Sequence, residues 1–340
     1  MNLATTIAER TPLPNGLTLT AIDWLVGRSK RQIAQAAMPE DSFVAAMNDY
    51  PIAAHTEAAN TQHYEIPDEF FSLVLGAQRK YSCCLYGDDG TTLDEAETLA
   101  LAETCRHADL HDGQTVLELG CGWGSLSLYM AKAYPNSRIV SVSNSNSQRA
   151  YIHYEATRRA LTNLNIITAD MNDFTTQERF DRIVSVEMFE HMSNWQALLT
   201  RALSWLEPDG RLFLHVFTSS RHSYRFQHDE HSDDWIGKYF FTGGIMPAQD
   251  LPHRFPDLFT VENEWRWSGE NYRRTAMDWL SNFDAHIGEI MPILKSVYGA
   301  DANLWRRRWR LFFLATAGLW GHDGGREWGV GHYLLAPAKR

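Results

Sequence analysis

Val116-Leu117-Glu118-Leu119-Gly120-Cys121-Gly122-Trp123-Gly124 sets the architecture. An apolar run, Thr115 to Leu119, reads as a short buried strand, and three glycines follow at every second position. Leu126 to Tyr134 then reads as a helix. Glycine lets a chain turn sharply and bring its backbone close to a ligand. The helix behind it offers unpaired N–H groups and the positive end of its dipole. The spacing is G-x-G-x-G, not the G-x-G-x-x-G of dinucleotide binders, and an acid, Glu118, stands inside the strand.

The same rhythm continues on both sides. Leu93 to Ala108 reads as a helix ahead of the glycine loop. After it come strands at Arg138–Val142, Asn165–Thr168, Arg182–Val186 and Arg211–Phe217, with helices at Ser147–Leu161 and Trp195–Leu206 and a stop at Pro208-Asp209-Gly210. Strands alternating with helices of this length predict a parallel sheet covered on both faces. Beyond Phe217 the alternation lapses. A polar stretch to Pro256 is followed by an alternating strand at Phe259–Trp267, helices at Thr275–Tyr298 and Asn303–Trp320, and a last strand at Trp328–Leu335. Residues 1–90 read as a helical segment covering the site, with helices at Leu17–Ala36 and within Tyr64–Gly76. Residues 91–340 read as the main domain, carrying lid insertions at about 219–256 and 270–322.

Composition narrows the function. Apolar residues make up 44% and charged residues 21%, so disorder and coiled coil are excluded. Acids outnumber bases 42 to 31, a net charge of −11 that repels nucleic-acid phosphates at long range. Cys83, Cys84, Cys105 and Cys121 give neither a disulfide framework nor zinc spacing, so no metal is expected. Free thiols, no apolar signal core and no run near the roughly twenty apolar residues of a bilayer span point to a cytoplasmic protein without a transmembrane segment.

With Glu118 in the strand, the glycine stretch resembles the first motif of S-adenosylmethionine-dependent methyltransferases. In such sheets ligands bind beyond the carboxyl ends of the strands. Gly120, Gly122 and Gly124 are then the cofactor loop, with Glu118 beneath it. Asn144 and Gln148 stand after the second strand, where many such enzymes place an acid for the ribose hydroxyls. Asp170 is placed to accept from the adenine amino group while Met171 packs on the ring. After the fourth strand comes Glu187-Met188-Phe189-Glu190-His191. Two acids and an imidazole at this edge suit methyl transfer to nitrogen, because a protonated amine must be held and its proton taken before the lone pair can attack. The expected roles are Glu190 and His191 as base and Glu187 as the group holding the amine. Aromatics such as Tyr81, Trp235, Tyr239, Phe240 and Trp328 are candidates for the acceptor pocket.

Tyr81-Ser82-Cys83, VLELGCGWGSLSLY, the Asn144/Gln148 loop, VSVEMFEHM at 184–192 and LFLHVF at 212–217 together resemble the cyclopropane-fatty-acyl-phospholipid synthase superfamily. Asp233-Asp234-Trp235-Ile236, Tyr239-Phe240-Phe241-Thr242-Gly243-Gly244 and the ending Glu327-Trp328…His332-Tyr333 are most similar to its coclaurine N-methyltransferase group. The resemblance spans about residues 64–338. It implies an α/β class I methyltransferase fold, Rossmann-like, with a mostly parallel seven-stranded sheet and a terminal antiparallel strand. It implies S-adenosyl-L-methionine as cofactor, S-adenosyl-L-homocysteine as product, and Tyr81 and Ser82 within the cofactor site. It also implies a small amine as acceptor, and a role for Glu187, Glu190 and His191 in handling that amine.

The alternative in the same superfamily is cyclopropanation of unsaturated lipid chains. There the resemblance assigns a bicarbonate base to Cys83, Glu190, His215 and Tyr272. Thr316 departs from those lipid enzymes, which usually carry a cysteine there, and Arg306-Arg307-Arg308 with Trp305 and Trp309 is the one local candidate for lipid docking. A dehydrogenase is excluded by the glycine spacing. A nucleic-acid methyltransferase is disfavoured by the acidic surface and by the lack of an Asn/Asp-Pro-Pro-Tyr-type motif. Whether the chain forms a homodimer stays open at this level.

Overall fold

Strand β1, Thr115–Leu119, lies inside a seven-stranded sheet, where four of its five side chains are buried. The computed structural model describes residues 13–54, 66–226 and 243–339. The other strands are β2 (Arg138–Ser143), β3 (Leu164–Thr168), β4 (Phe180–Val186), β5 (Leu206–Ser219), the short β6 (Tyr224–Arg225) and β7 (Ile245–Met246), β8 (Phe259–Ser268) and β9 (Trp328–Pro337). The main sheet runs β3-β2-β1-β4-β5-β9-β8. Its first five strands are parallel, and β9 enters antiparallel between β5 and β8. β6 and β7 pair apart from it. The strand order reverses at β1, so the carboxyl ends of β1, β2 and β4 open on a crevice suited to a ligand.

The helices are α1 (Asn15–Ala36), α2 (Glu40–Ala46), α3 (Asp68–Val74), α4 (Leu93–His107), α5 (Ser125–Ala133), α6 (Asn146–Arg158), α7 (Trp195–Trp205), α8 (Gly269–Ala285), α9 (Ile287–Tyr298) and α10 (Ala302–Gly321). Helix α4 is delimited by its own chemistry. Thr92 and Glu95 form a reciprocal capping box, Asp94 and Glu95 lie at the positive end, and Arg106 and His107 at the negative one. That last turn delivers His107 to the edge of the sheet core.

Two differences from the sequence reading have local causes. Leu206 to Gly210 continues β5 instead of closing α7, because Leu206 already pairs with Phe180. The helix expected over Thr275–Tyr298 starts at Gly269 and is broken at His286. There the backbone N–H and the ring Nδ1 of His286 both meet the Asn282 carbonyl, at 2.9 Å each, and α9 restarts with its own bonds to the His286 carbonyl. The apolar stripe survives the break: Trp279, Leu280, Phe283, Ile290 and Leu294 are all buried.

Helix α1 lies across α10. A Cβ on Gly318 would stand 2.4 Å from Ile22 Cγ2, so this glycine is what lets the two helices approach. The Trp305–Trp309 basic stretch is not a free surface face. Trp309 is buried and packs 4.7 Å from Phe70, and Trp305 stacks on Tyr298 at 4.2 Å. Among the described residues no helix is long and apolar enough to cross a membrane.

Candidate active site

The crevice is a cavity of about 1260 Å³ between the carboxyl ends of β1 to β4 and a cover made of α1, α8 and α10. Residues such as Thr18, Ile22 and Leu25 of α1 line it directly. Glycine loop 120–124 forms one wall. Gly120, Gly122 and Gly124 all have positive φ, at 81°, 51° and 77°, a region that only glycine adopts freely. Their surroundings differ. A Cβ on Gly120 would meet Met188 at 2.6 Å and one on Gly124 would meet Ile152 at 2.6 Å, whereas Gly122 faces open space. Gly120 and Gly122 border the cavity; Gly124 instead caps α5 and packs on α6.

The strand ends bring the other expected cofactor residues to the same wall. Glu118, Asn144, Gln148, Asp170, Met171, Tyr81 and Ser82 all border the cavity. Glu118 Oε2 accepts from the hydroxyls of Ser127 and Ser141, the latter at 2.7 Å. Burial pushes its carboxyl up to about 7, and the two hydroxyls oppose the rise. Gln148 Oε1 accepts from the Ser143 hydroxyl at 2.7 Å, which fixes its amide at the end of β2. Asp170 Oδ1 accepts from the Asn172 amide at 2.8 Å, an Asx turn that orients the β3 loop. Tyr81 is wedged between Phe71 and Trp279, with ring centroids 5.1 and 5.5 Å away.

At the far end of the cavity stands Glu187. Its backbone is left-handed, with φ 47°, a strained conformation for a residue with a Cβ. Its amide donates to the His215 carbonyl at 2.8 Å. Its Oε1 lies 2.9 Å from the donating Cys83 amide and 3.2 Å from His215 Nε2, and its Oε2 accepts from the Tyr272 hydroxyl at 2.7 Å. Burial raises its carboxyl above the ordinary range, while the positive charge of Lys80 and these donors pull it down. Tyr272 is held in place by stacking on Trp320, with centroids 4.9 Å apart.

Glu190 is arranged differently. It is fully buried and does not border the cavity. Oε1 accepts from the Phe217 amide at 3.1 Å, and Oε2 has no hydrogen-bond partner among the described residues. Burial first, and the neighbouring charge of Glu187 second, raise its carboxyl well above the usual value. Two acids this close do not share the burden of ionisation equally. Of the two, Glu187 with its donors is the one suited to carry a charge, and Glu190 keeps its proton. His191 borders the cavity beside Glu187. Cys83 and His215 stand behind the wall and reach Glu187 from there.

Three contributors carried no sequence signal of their own. Lys80 is buried and donates to Ser82 Oγ at 2.5 Å and to the Cys83 carbonyl at 2.6 Å. Glu97 accepts from the amides of Gly76, Gln78 and Lys80 and so builds the loop that presents Tyr81 to Cys83. His332, noted only as part of the chain's ending, sits directly across from His215 on β9. Trp235, Tyr239 and Phe240 lie outside the described residues. Trp328 lines the cavity and donates to the Tyr224 hydroxyl at 3.1 Å.

Residues 53–317 match the mycolic acid cyclopropane synthetase family. The (S)-coclaurine N-methyltransferase of Thalictrum flavum subsp. glaucum is 36% identical over 311 residues, covering 90% of this chain and 85% of the relative. The crystal structure of coclaurine N-methyltransferase bound to N-methylheliamine and SAH superposes with a TM-score of 0.90 at 34% identity, covering 97% of this chain and 98% of that one. The cyclopropane-fatty-acyl-phospholipid synthase of Escherichia coli (strain K12) is 33% identical over 231 residues, 67% of this chain and 57% of the relative.

Proposed function

The chain belongs to the mycolic acid cyclopropane synthetase family, and within it we propose the activity of an S-adenosylmethionine-dependent N-methyltransferase acting on a small ring-bearing amine. The observation that carries the choice of acceptor is the carboxylate of Glu187. It is fixed at the cavity wall by the Cys83 amide, His215 and Tyr272, a carboxyl group placed to become the counter-ion of a cationic partner.

The residues present fit the cofactor. Gly122 leaves the loop open to close approach, and Asn144, Gln148 and Asp170 offer polar groups at successive strand ends for ribose and adenine. Tyr81, Ser82, Glu118, Gly120 and Met171 complete that wall. When bound, the sulfonium supplies a methyl group to a neutral amine lone pair, and its bonding pair stays on sulfur. The chain supplies the rest. Glu187 receives the ammonium and fixes its direction. His191, the imidazole on the cavity wall, takes the proton that frees the lone pair. Glu190, neutral behind them, keeps a second negative charge out of the site. Positioning inside a largely apolar cavity then supplies most of the acceleration.

The bicarbonate of the lipid enzymes does not fit this reading. Three of the groups assigned to it, Cys83 through its amide, His215 and Tyr272, already converge on Glu187, and the fourth, Glu190, accepts from the Phe217 amide. A carboxylate of the chain itself takes the anion's place.

The test is mass spectrometry with methyl-labelled S-adenosylmethionine, offering tetrahydroisoquinoline-type secondary amines and unsaturated phospholipid vesicles in parallel. Three label hydrogens retained on the amine are expected. Two retained on a lipid chain, with the third lost as a proton, would replace this reading with cyclopropanation.

A further inference from the structure

Behind Glu187 three imidazoles form an unbroken line. His215 Nε2 lies 3.2 Å from Glu187 Oε1, and His215 Nδ1 lies 2.8 Å from His332 Nε2. His332 Nδ1 lies 2.7 Å from His107 Nδ1. His107 Nε2 lies 2.7 Å from Arg106 Nη2 and 3.0 Å from Glu103 Oε1. Every ring nitrogen in the line therefore has a hydrogen-bond partner. His215 and His332 are fully buried and His107 nearly so, whereas the Arg106 and Glu103 side chains are 62% and 29% exposed. The line thus runs from the cavity wall to solvent.

Its walls are aromatic. Trp265 stacks on His107 at 3.8 Å, and Trp267 and Phe213 stand 4.2 and 5.1 Å from His332. Such walls leave the nitrogens no competing partner. Burial lowers the proton affinity of all three rings, His107 to about 4, so each is neutral and carries one N–H.

A line of neutral imidazoles has two fully bonded arrangements. In the first, Arg106, which can only donate, bonds to His107 Nε2. His107 then donates from Nδ1 to His332, His332 from Nε2 to His215, and His215 from Nε2 to the Glu187 carboxylate. In the second, Glu187 is a carboxylic acid and donates to His215 Nε2. His215 donates from Nδ1, His332 from Nδ1, and His107 from Nε2 to the Glu103 carboxylate. The two differ by one proton and three tautomers; the three rings keep their places, and only the exposed Arg106 side chain turns away from His107 Nε2 when that nitrogen donates. The protonated arrangement is set to pass a proton outward, the ionised one inward.

We propose that His215, His332 and His107 are a proton path between Glu187 and the surface at Glu103 and Arg106, through which Glu187 gives up its proton when a cationic acceptor enters the cavity and takes one back when it leaves. The proposal rests on reading Glu187 as the acceptor carboxylate. The balance is simple: one O–H bond breaks at Glu187, one proton moves across each ring, and one proton reaches solvent. Other routes are poorer. The groups facing Glu187 are Lys80 and Cys83 from the loop between α3 and α4, Tyr272 from α8, His215 from β5, and Glu190 and His191 from its own turn. Cys83 presents an amide, Tyr272 stacks on Trp320, Glu190 is sealed in the core, Lys80 donates to Ser82 Oγ and the Cys83 carbonyl, and His191 opens on the cavity that the amine itself enters.

The experiment mixes the enzyme, saturated with S-adenosylhomocysteine so that no methyl moves, with a protonated tetrahydroisoquinoline in weak buffer. Tryptophan fluorescence reports binding and an indicator dye reports protons. In the wild type one proton is expected to leave at the rate of binding. In His332→Phe, binding is expected within about threefold of wild type while proton release slows at least tenfold. A merely structural role would move both together. Glu103→Leu, at the surface end and outside the core, is expected to slow release severalfold and decides the matter if His332→Phe does not fold. Release at the wild-type rate in the variants, or no release in a wild type that binds the amine, overturns the path while the acceptor reading stands. No binding of the amine overturns the acceptor reading and the path with it.

Discussion

Glu187 and Glu190 lie on the same turn after β4, yet their carboxylates have opposite surroundings. Glu187 meets the Cys83 amide, His215 and Tyr272 at the cavity, whereas Glu190 has one oxygen on the Phe217 amide and the other without a partner in the core. Charge at one depends on neutrality at the other. Glu187→Gln keeps the shape but removes the anion, and kcat/KM for the amine is expected to fall about a hundredfold or more, equivalent to roughly 3 kcal/mol. Glu190→Gln mimics the neutral acid and is expected to cost less than about tenfold. His191→Ala is expected to reduce kcat by orders of magnitude with S-adenosylmethionine affinity unchanged. Steady-state kinetics with each variant checks the order. A Glu190→Gln loss as deep as that of Glu187→Gln would return Glu190 to the role of an ionised base.

The loop glycines separate binding from folding. Gly122 faces open space in the cavity, whereas a Cβ on Gly120 would overlap Met188. Gly122→Val is expected to cost about 1–3 kcal/mol in backbone strain at φ 51°, without a clash, and to abolish calorimetric binding of S-adenosylmethionine by the still-folded enzyme by filling its approach. Gly120→Ala is expected to lower the melting temperature of the ligand-free enzyme, at a cost of about 1–3 kcal/mol from overpacking and from φ 81°. Unchanged cofactor affinity in Gly122→Val would mean that the cofactor lies elsewhere.

Helix α1 crosses α10 closely at Gly318. A Cβ on Gly318 would come 2.4 Å from Ile22, and Ile22 also lines the cavity. Gly318→Leu is expected to lift α1 from α10 and to raise KM for the amine severalfold, with little change in cofactor affinity, because the glycine loop is untouched. An unaltered KM would show that α1 does not shape the acceptor pocket.

The buried acid of β1 predicts a pH dependence of stability. The folded state holds the Glu118 carboxyl at about 7 against an ordinary 4.5. The folded form therefore binds this proton more tightly than the unfolded chain. The contribution is full below about 4.5 and is lost as pH rises through 7, by roughly 3 kcal/mol at most. Glu118→Gln keeps an acceptor for Ser127 and Ser141 without a charge to bury. In the ligand-free enzyme its melting temperature is expected to match the wild type near pH 5 and to exceed it by several degrees near pH 8. Equal melting temperatures at both pH values would mean that Glu118 ionises without penalty.

The fold was legible in the chain because its evidence is local. A buried strand, a glycine turn and a helix at 115–134, repeated along the next hundred residues, dictate a parallel sheet whatever lies around it. The proposed cofactor wall follows, since Gly120, Asn144 and Asp170 stand just beyond strand ends and Gln148 in the helical turn behind β2, and strand ends of a parallel sheet share one edge. The line of residues behind Glu187 was not legible. It depends on β9 entering antiparallel beside β5, which sets His332 across from His215, and on the last turn of α4 carrying His107 to the same point. Periodicity tells which side chains are buried but not which buried nitrogen meets which oxygen. The sequence alone therefore determined the class I methyltransferase sheet and the residues at its strand ends. Only the tertiary structure decided that Glu187, and not Glu190, receives the donors, because that depends on distances between segments 28 to 104 residues apart in the chain, set by packing rather than by local preference.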